Sequence, residues 1–172
     1  MSKLDHEATF SGVFAGRRVL VTGHTGFKGS WLCLWLLKLG AQVAGLAKDI
    51  PTDPSLFVAL GLERRVEHHV ADIVDRAKLA KLIATFRPDF VFHLAAQAIV
   101  SRSYAHPLAT LQTNALGTAT LLDVLREHTA PCAAVMITSD KCYENVEWVF
   151  GYRETDALGG KDIYSASKAA AE

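Results

Sequence analysis

The chain has 172 residues, half of them hydrophobic and 21% charged, which suits one globular domain with a sizeable core and excludes an intrinsically disordered chain. Lys plus Arg and Asp plus Glu number 18 each, so the formal charge is zero and nothing in the balance points to nucleic acid or another polyanion. The three cysteines (Cys33, Cys132, Cys142) contain no C-x-x-C pair, Met1 to Ser11 lacks a signal-peptide pattern, and the longest apolar run, Trp31 to Leu37, is too short to cross a bilayer. These features predict a cytoplasmic protein with no disulfide framework, no metal site and no membrane partner.

Arg18 to Thr22 reads as a short strand ending at glycine. Trp31 to Leu39 is apolar on nearly all sides, as a helix buried against a sheet would be, with Trp31 and Trp35 at helical spacing as core and Gly40 as the stop. Gln42 to Leu46 and Val66 to Val70 are a second and a weaker third strand. Asp75 to Phe86 has helical spacing through Leu79, Leu82, Ile83 and Phe86, and Pro88 ends it. Phe90 to Leu94 is a fourth strand. Leu108 to His128 is a long helix with Leu111, Ala115, Leu122 and Leu125 among its apolar positions. Ala133 to Thr138 is a fifth strand, a polar loop runs from Cys142 to Asp162, and a last helix opens near Ile163.

Strands alternating with helices predict an α/β fold with a doubly wound parallel sheet, because crossovers between parallel strands are nearly always right-handed. Residues 1–16 read as an N-terminal tail and 17–172 as a Rossmann domain. A complete sheet of this kind asks for more chain than follows the last helix, so a C-terminal substrate domain is expected to be absent from this chain.

Gly23, Gly26 and Gly29 follow the first strand directly and open the first helix. Glycines there let the backbone turn sharply and approach a pyrophosphate, and the helix start offers unpaired N–H groups at a positive dipole end. A tight turn alone would use the same glycines, but the strand before and the helix after favour a dinucleotide. Asp49, 20 residues beyond Gly29, is placed to accept from ribose hydroxyls and to repel a 2′-phosphate, which favours NAD over NADP. Asp72, after the third strand, is either an adenine-side group or a plain turn residue.

Tyr164 and Lys168 are four apart and share a helix face. A nearby ammonium stabilises phenolate, so such a Tyr can take a proton from a sugar hydroxyl. The spacing is common by chance; its place downstream of a phosphate turn makes it specific. Thr138, Ser139, Asp140 and Lys141 end the fifth strand, and ligands of open α/β sheets bind at the carboxyl ends of strands.

Gly23/Gly26/Gly29, Leu94-Ala95-Ala96-Gln97, Asn114 with Gly117-Thr118, and Tyr164/Lys168 together resemble the extended short-chain dehydrogenase/reductase family. More narrowly, Thr22 to Trp31, Thr138 to Tyr143 and the loop through Glu144, Trp148, Gly151 to Glu154 and Leu158 to Gly160 are similar to the CDP-glucose 4,6-dehydratases. The resemblance implies NAD held by Gly23, Thr25, Gly26, Phe27, Lys28, Gly29, Asp49, Asp72, Ile73, Leu94, Ala95, Ala96, Gln97, Asn114, Tyr164 and Lys168. It implies CDP-glucose as substrate, a lyase product for deoxysugar and O-antigen synthesis, and a homodimer. It also implies roles: Tyr164 takes the 4-hydroxyl proton, Ser139 hydrogen-bonds there, Lys168 tunes Tyr164, Lys141 removes the C5 proton and Asp140 protonates the departing 6-hydroxyl. A dTDP-glucose dehydratase, a 4-epimerase and a non-catalytic NAD-binding fragment are the alternatives. An epimerase needs no elimination acid and base, so Asp140-Lys141 argues against it.

His93, in a buried strand, reads as a satisfied core histidine, and His68 and His69 alternate faces and cannot share one ion.

Overall fold

In the computed structural model, which describes residues 9–172, five parallel strands form one sheet in the order β3-β2-β1-β4-β5. They are β1 (Arg18–Thr22), β2 (Gln42–Ala47), β3 (Glu67–Val70), β4 (Phe90–His93) and β5 (Ala133–Met136). The long helices between them are α1 (Phe27–Lys38), α3 (Arg76–Phe86) and α6 (Gly117–Glu127). Short helices α2 (Leu56–Ala59), α4 (Val100–Ala105) and α5 (Pro107–Leu111) fill connections, and α7 (Ile163–Ala169) closes the order. The sequence shows no sign of α2 or α4, whose few turns are too short to display a period.

Strand β1 explains the two-sided core. Its side chains alternate. Val19 and Val21 pack with Cys33, Leu36, Val43 and Phe57 on the α1 side; Leu20 packs with Leu79, Ile83, Leu121 and Val124 on the α3 and α6 side. Both faces are covered, so the strand is apolar without interruption. Each fully buried side chain of this kind stabilises the fold by about 1.5–3 kcal/mol. Phe14 joins the α1 face with its ring against Phe90 and Phe92. Residues 1–8 of the tail lie outside the described residues.

Two expectations are corrected. Trp31 and Trp35 are not core: they are 52% and 48% exposed on the outer side of α1, while Cys33 and Leu36 point inward. Only one face of α1 can touch the sheet, however apolar the rest is. In the long helix, Leu121 and Val124 are buried and Leu122 is exposed. The buried face runs through Thr110, Asn114, Gly117, Thr118, Leu121 and Val124, four of them polar or glycine, and a π turn over Gln112–Leu116 interrupts the α geometry along it.

Candidate active site

The strand order reverses direction between β1 and β4, and the crevice beyond their carboxyl ends is where open α/β sheets bind ligands. The glycine turn lies there. Gly23 has φ +72, and a Cβ on it would strike the backbone of Leu94 and Ala95, so glycine lets β1 and β4 exits run side by side. A Cβ on Gly29 would overlap the Gly23 carbonyl oxygen. Gly26 is the N-cap of α1 and brings no side-chain cap, so the first-turn amides of Phe27, Lys28 and Gly29 remain available to an anion. Thr25 is buried and donates to the Asp49 carbonyl at 2.7 Å, which fixes the turn to the end of β2. Phe27 and Lys28 are exposed on the first turn of α1.

The second flank of the crevice carries the acids. Asp49 is exposed beyond β2. Asp72 closes a turn by accepting from the Val74 N–H at 3.2 Å, and Lys48 stands 4.0 Å from its other oxygen. Ile73 is buried beneath Gly117, where a Cβ would meet its Cγ2 at 2.5 Å.

The run after β4, Leu94 to Gln97, is half-buried. Asn114, 1% exposed on the π turn, clamps it: Oδ1 accepts from the Gln97 N–H at 2.8 Å, and Nδ2 donates to the Gln97 carbonyl at 3.1 Å and to Ser167 Oγ at 2.8 Å. Ser167 donates in turn to the Tyr164 carbonyl at 2.7 Å. Asn114 thus binds the β4 exit to α7, and π turns are often found at functional sites for this reason of irregular placement.

Helix α7 begins at Asp162, which accepts from the Ser165 N–H at 2.9 Å and its hydroxyl at 2.7 Å. Burial opposes the Asp162 carboxylate, yet those bonds, with Tyr164 and the Lys141 charge, hold its pKa below the usual range. Tyr164 and Lys168 are both buried. Lys168 Nζ donates to the Ile137 carbonyl at 3.0 Å, just beyond β5. Burial, and then the charge of Lys28, push the Lys168 pKa down. Ser139 caps the short turn Asp140–Cys142 and its hydroxyl donates to Asp140 Oδ1 at 3.1 Å, while Lys141 is exposed.

Sequence reasoning read past His24. It is fully buried, its Nε2 lies 2.7 Å from His68 Nδ1, and its ring stands edge-on to Phe57 at 5.3 Å. Burial first, and the charge of His68 second, lower its pKa to about 4. The glycine spacing draws attention to residues 23, 26 and 29 and gives no signal for the residue between them. Among the described residues, no group of three His, Cys, Asp or Glu is placed to hold a metal.

A Rossmann crevice with a glycine turn on one side and a buried Tyr-x-x-x-Lys helix on the other defines the class as an extended short-chain dehydrogenase/reductase. Residues 20–172 match the GDP-mannose 4,6-dehydratase family model, and the chain belongs to that family. It is 54% identical over 157 residues to CDP-glucose 4,6-dehydratase of Salmonella typhimurium, covering 91% of this chain and 44% of that protein. It is 33% identical to a probable dTDP-glucose 4,6-dehydratase of Sinorhizobium fredii, covering 90% and 47%. The chain therefore spans about half the length of these curated relatives. Among solved structures, UDP-glucose 4-epimerase of Thermus thermophilus in complex with NAD superposes with a TM-score of 0.76 at 32% identity, over 89% of this chain and 48% of that one. The Thermotoga maritima UDP-glucose 4-epimerase with UDP-glucose gives 0.77 at 27%, over 90% and 48%.

Proposed function

We propose that this chain is the NAD-binding portion of a lyase that converts CDP-glucose to CDP-4-keto-6-deoxyglucose. The observation that carries the reading is the convergence of the glycine turn, the Asn114 clamp and the Tyr164/Lys168 helix on one crevice. The 54% identity to a CDP-glucose dehydratase supports the nucleotide, and the Asp140-Lys141 pair supports elimination over epimerisation.

The chain fits NAD. The uncapped first turn of α1 and Lys28 suit a pyrophosphate, and Asp49 suits an unphosphorylated ribose. Bound NAD⁺ supplies an oxidant that takes two electrons from the sugar and returns them within one turnover. Tyr164 removes the proton of the 4-hydroxyl, Ser139 holds that hydroxyl, and Lys168 supplies the positive charge that favours phenolate. The resulting ketone acidifies C5–H. Lys141 takes that proton, and Asp140 gives one to the departing 6-hydroxyl. Exposed Leu108, Leu116 and Leu122 on the α5–α6 stretch support a homodimer through that helix and α7. No helix among the described residues is long and apolar enough to cross a membrane, and we place the enzyme in the cytoplasm, where its substrate and NAD are found.

Replacing Tyr164 with Phe removes only the hydroxyl. It should lower water loss from CDP-glucose by about 10²–10⁴-fold while NAD⁺ still binds. Turnover within a fewfold of wild type would remove Tyr164 from the reaction.

A further inference from the structure

His93 ends β4 beneath the crevice and is buried. Both ring nitrogens are engaged: Nδ1 lies 2.7 Å from the Thr22 hydroxyl and Nε2 lies 3.0 Å from the Thr118 hydroxyl. The positions of the protons follow from the partners. A threonine hydroxyl has one proton, and that of Thr118 goes to the Asn114 carbonyl at 2.7 Å. Nε2 must therefore carry a proton and donate it to Thr118. Nδ1 is left as an acceptor, and Thr22 donates to it. The Thr22 oxygen then accepts the Ala95 N–H at 3.2 Å. Every donor and acceptor is used, in one direction, from the Ala95 amide to the Asn114 carbonyl. The other tautomer leaves the buried Thr22 proton without an acceptor.

We propose that His93 is a positioning residue: a neutral imidazole protonated at Nε2 that joins the exits of β1 and β4 to the Asn114 turn, and through Asn114 to the helix of Tyr164 and Lys168. The proposal rests on the dehydratase reading for the reaction it serves. Three elements that carry different parts of the site are tied by this one ring. An apolar residue of similar size would fill the space, leave the Thr22 proton without its acceptor and take away the donor to the Thr118 oxygen. A protonated ring would lose the acceptor that Thr22 needs and would set a second cation near Lys168. Burial, and then Lys168, in fact hold the His93 pKa down at about 4.

Two measurements on the full-length protein with NAD⁺ test this. Nitrogen-15 NMR of the labelled histidines should show His93 neutral, with Nε2 protonated and Nδ1 bare, between about pH 5.5 and 8. A proton on Nδ1, or a doubly protonated ring in that range, overturns the proposal. In kinetics, Thr118→Val keeps the volume and removes the hydroxyl. It should lower kcat by about tenfold with the sugar-nucleotide KM within about twofold, and Thr118→Ser should recover most of the loss. Thr22→Val breaks the other end and should give the same split, which keeps the test open if one variant fails to fold. Unchanged kcat, or a change in KM alone, overturns it. The tautomer is read without turnover, so a wild-type protein that dehydrates no sugar nucleotide contradicts the dehydratase reading and leaves the His93 assignment to be judged by NMR.

Discussion

The ring of His24 rests directly on Gly45 of β2, so closely that a Cβ at position 45 would overlap its Cγ and Cδ2. The second residue of the glycine turn is thereby anchored to the sheet, with His68 of β3 completing the contact through a 2.7 Å hydrogen bond. Gly45→Ala forces His24 off its seat while β2 stays locked between β1 and β3. Overpacking of this kind costs about 1–3 kcal/mol. Urea denaturation should show that loss, and NAD⁺ titration should show weakened binding as the turn is displaced. A variant of wild-type stability and affinity would mean that the turn does not depend on this contact.

The same buried histidines set an acid limit on stability. His24 and His93 are each lowered from 6.5 to about 4, chiefly by burial, with His68 acting second on His24 and Lys168 second on His93. Between those values the unfolded chain binds protons that the folded chain refuses. Their contribution is therefore fully present above about pH 6.5 and is lost as pH falls toward 4, with a limiting slope of about 3 kcal/mol per pH unit for the two together. Carboxylates held below their ordinary 3.8, such as Asp89, whose largest favourable contact is the Arg18 N–H, add losses only in stronger acid. Denaturation midpoints that stay level between about pH 7 and 5 would contradict this.

Lys141, like its neighbour Asp140, stands exposed, whereas Tyr164 and Lys168 are buried. If it removes the C5 proton, Lys141→Ala should slow water loss by about 10²-fold or more and leave NAD⁺ affinity within about twofold. The oxidised sugar should then accumulate, visible as NADH absorbance after mixing with CDP-glucose. Full turnover by the alanine variant would pass the C5 proton to another group.

The two faces of α1 predict opposite responses. Trp31→Gln alters a half-exposed side chain and should change stability by no more than about 0.5 kcal/mol. Leu36→Ala opens a cavity under the same helix and should cost about 2–5 kcal/mol. Thermal or urea unfolding of the pair decides the orientation of the helix; equal losses would place Trp31 inside.

That helix also shows what the sequence can and cannot convey. The order of strands, the glycine turn and the Tyr164/Lys168 spacing are local patterns, and right-handed crossovers convert them into a sheet with few choices left. Trp31, Trp35 and Leu36 are equally apolar, so composition cannot say which of them meets the sheet. The face of the Leu108 to His128 segment is unreadable for a different reason: its buried positions, Thr110, Asn114, Gly117, Thr118, Leu121 and Val124, keep helical spacing but are mostly polar or glycine, so the apolar pattern does not mark them. His93 is legible as a satisfied core histidine because its strand is apolar, but its partners Thr22 and Thr118, distant in sequence, are not, and His24 gives no signal until Gly45 and His68 are brought alongside. Asn114 is marked by family resemblance, and its pair of hydrogen bonds to Gln97 shows what it holds in place.

The central claim is the chemistry and its nucleotide. The most direct measurement is mass spectrometry of the products after the full-length protein and NAD⁺ are incubated with CDP-glucose and, separately, with dTDP-glucose. The account predicts loss of one water from CDP-glucose and none from dTDP-glucose, with no net NADH formed. Water lost from dTDP-glucose alone would contradict the substrate, and CDP-glucose returned intact by a protein that binds NAD⁺ would contradict the reaction itself.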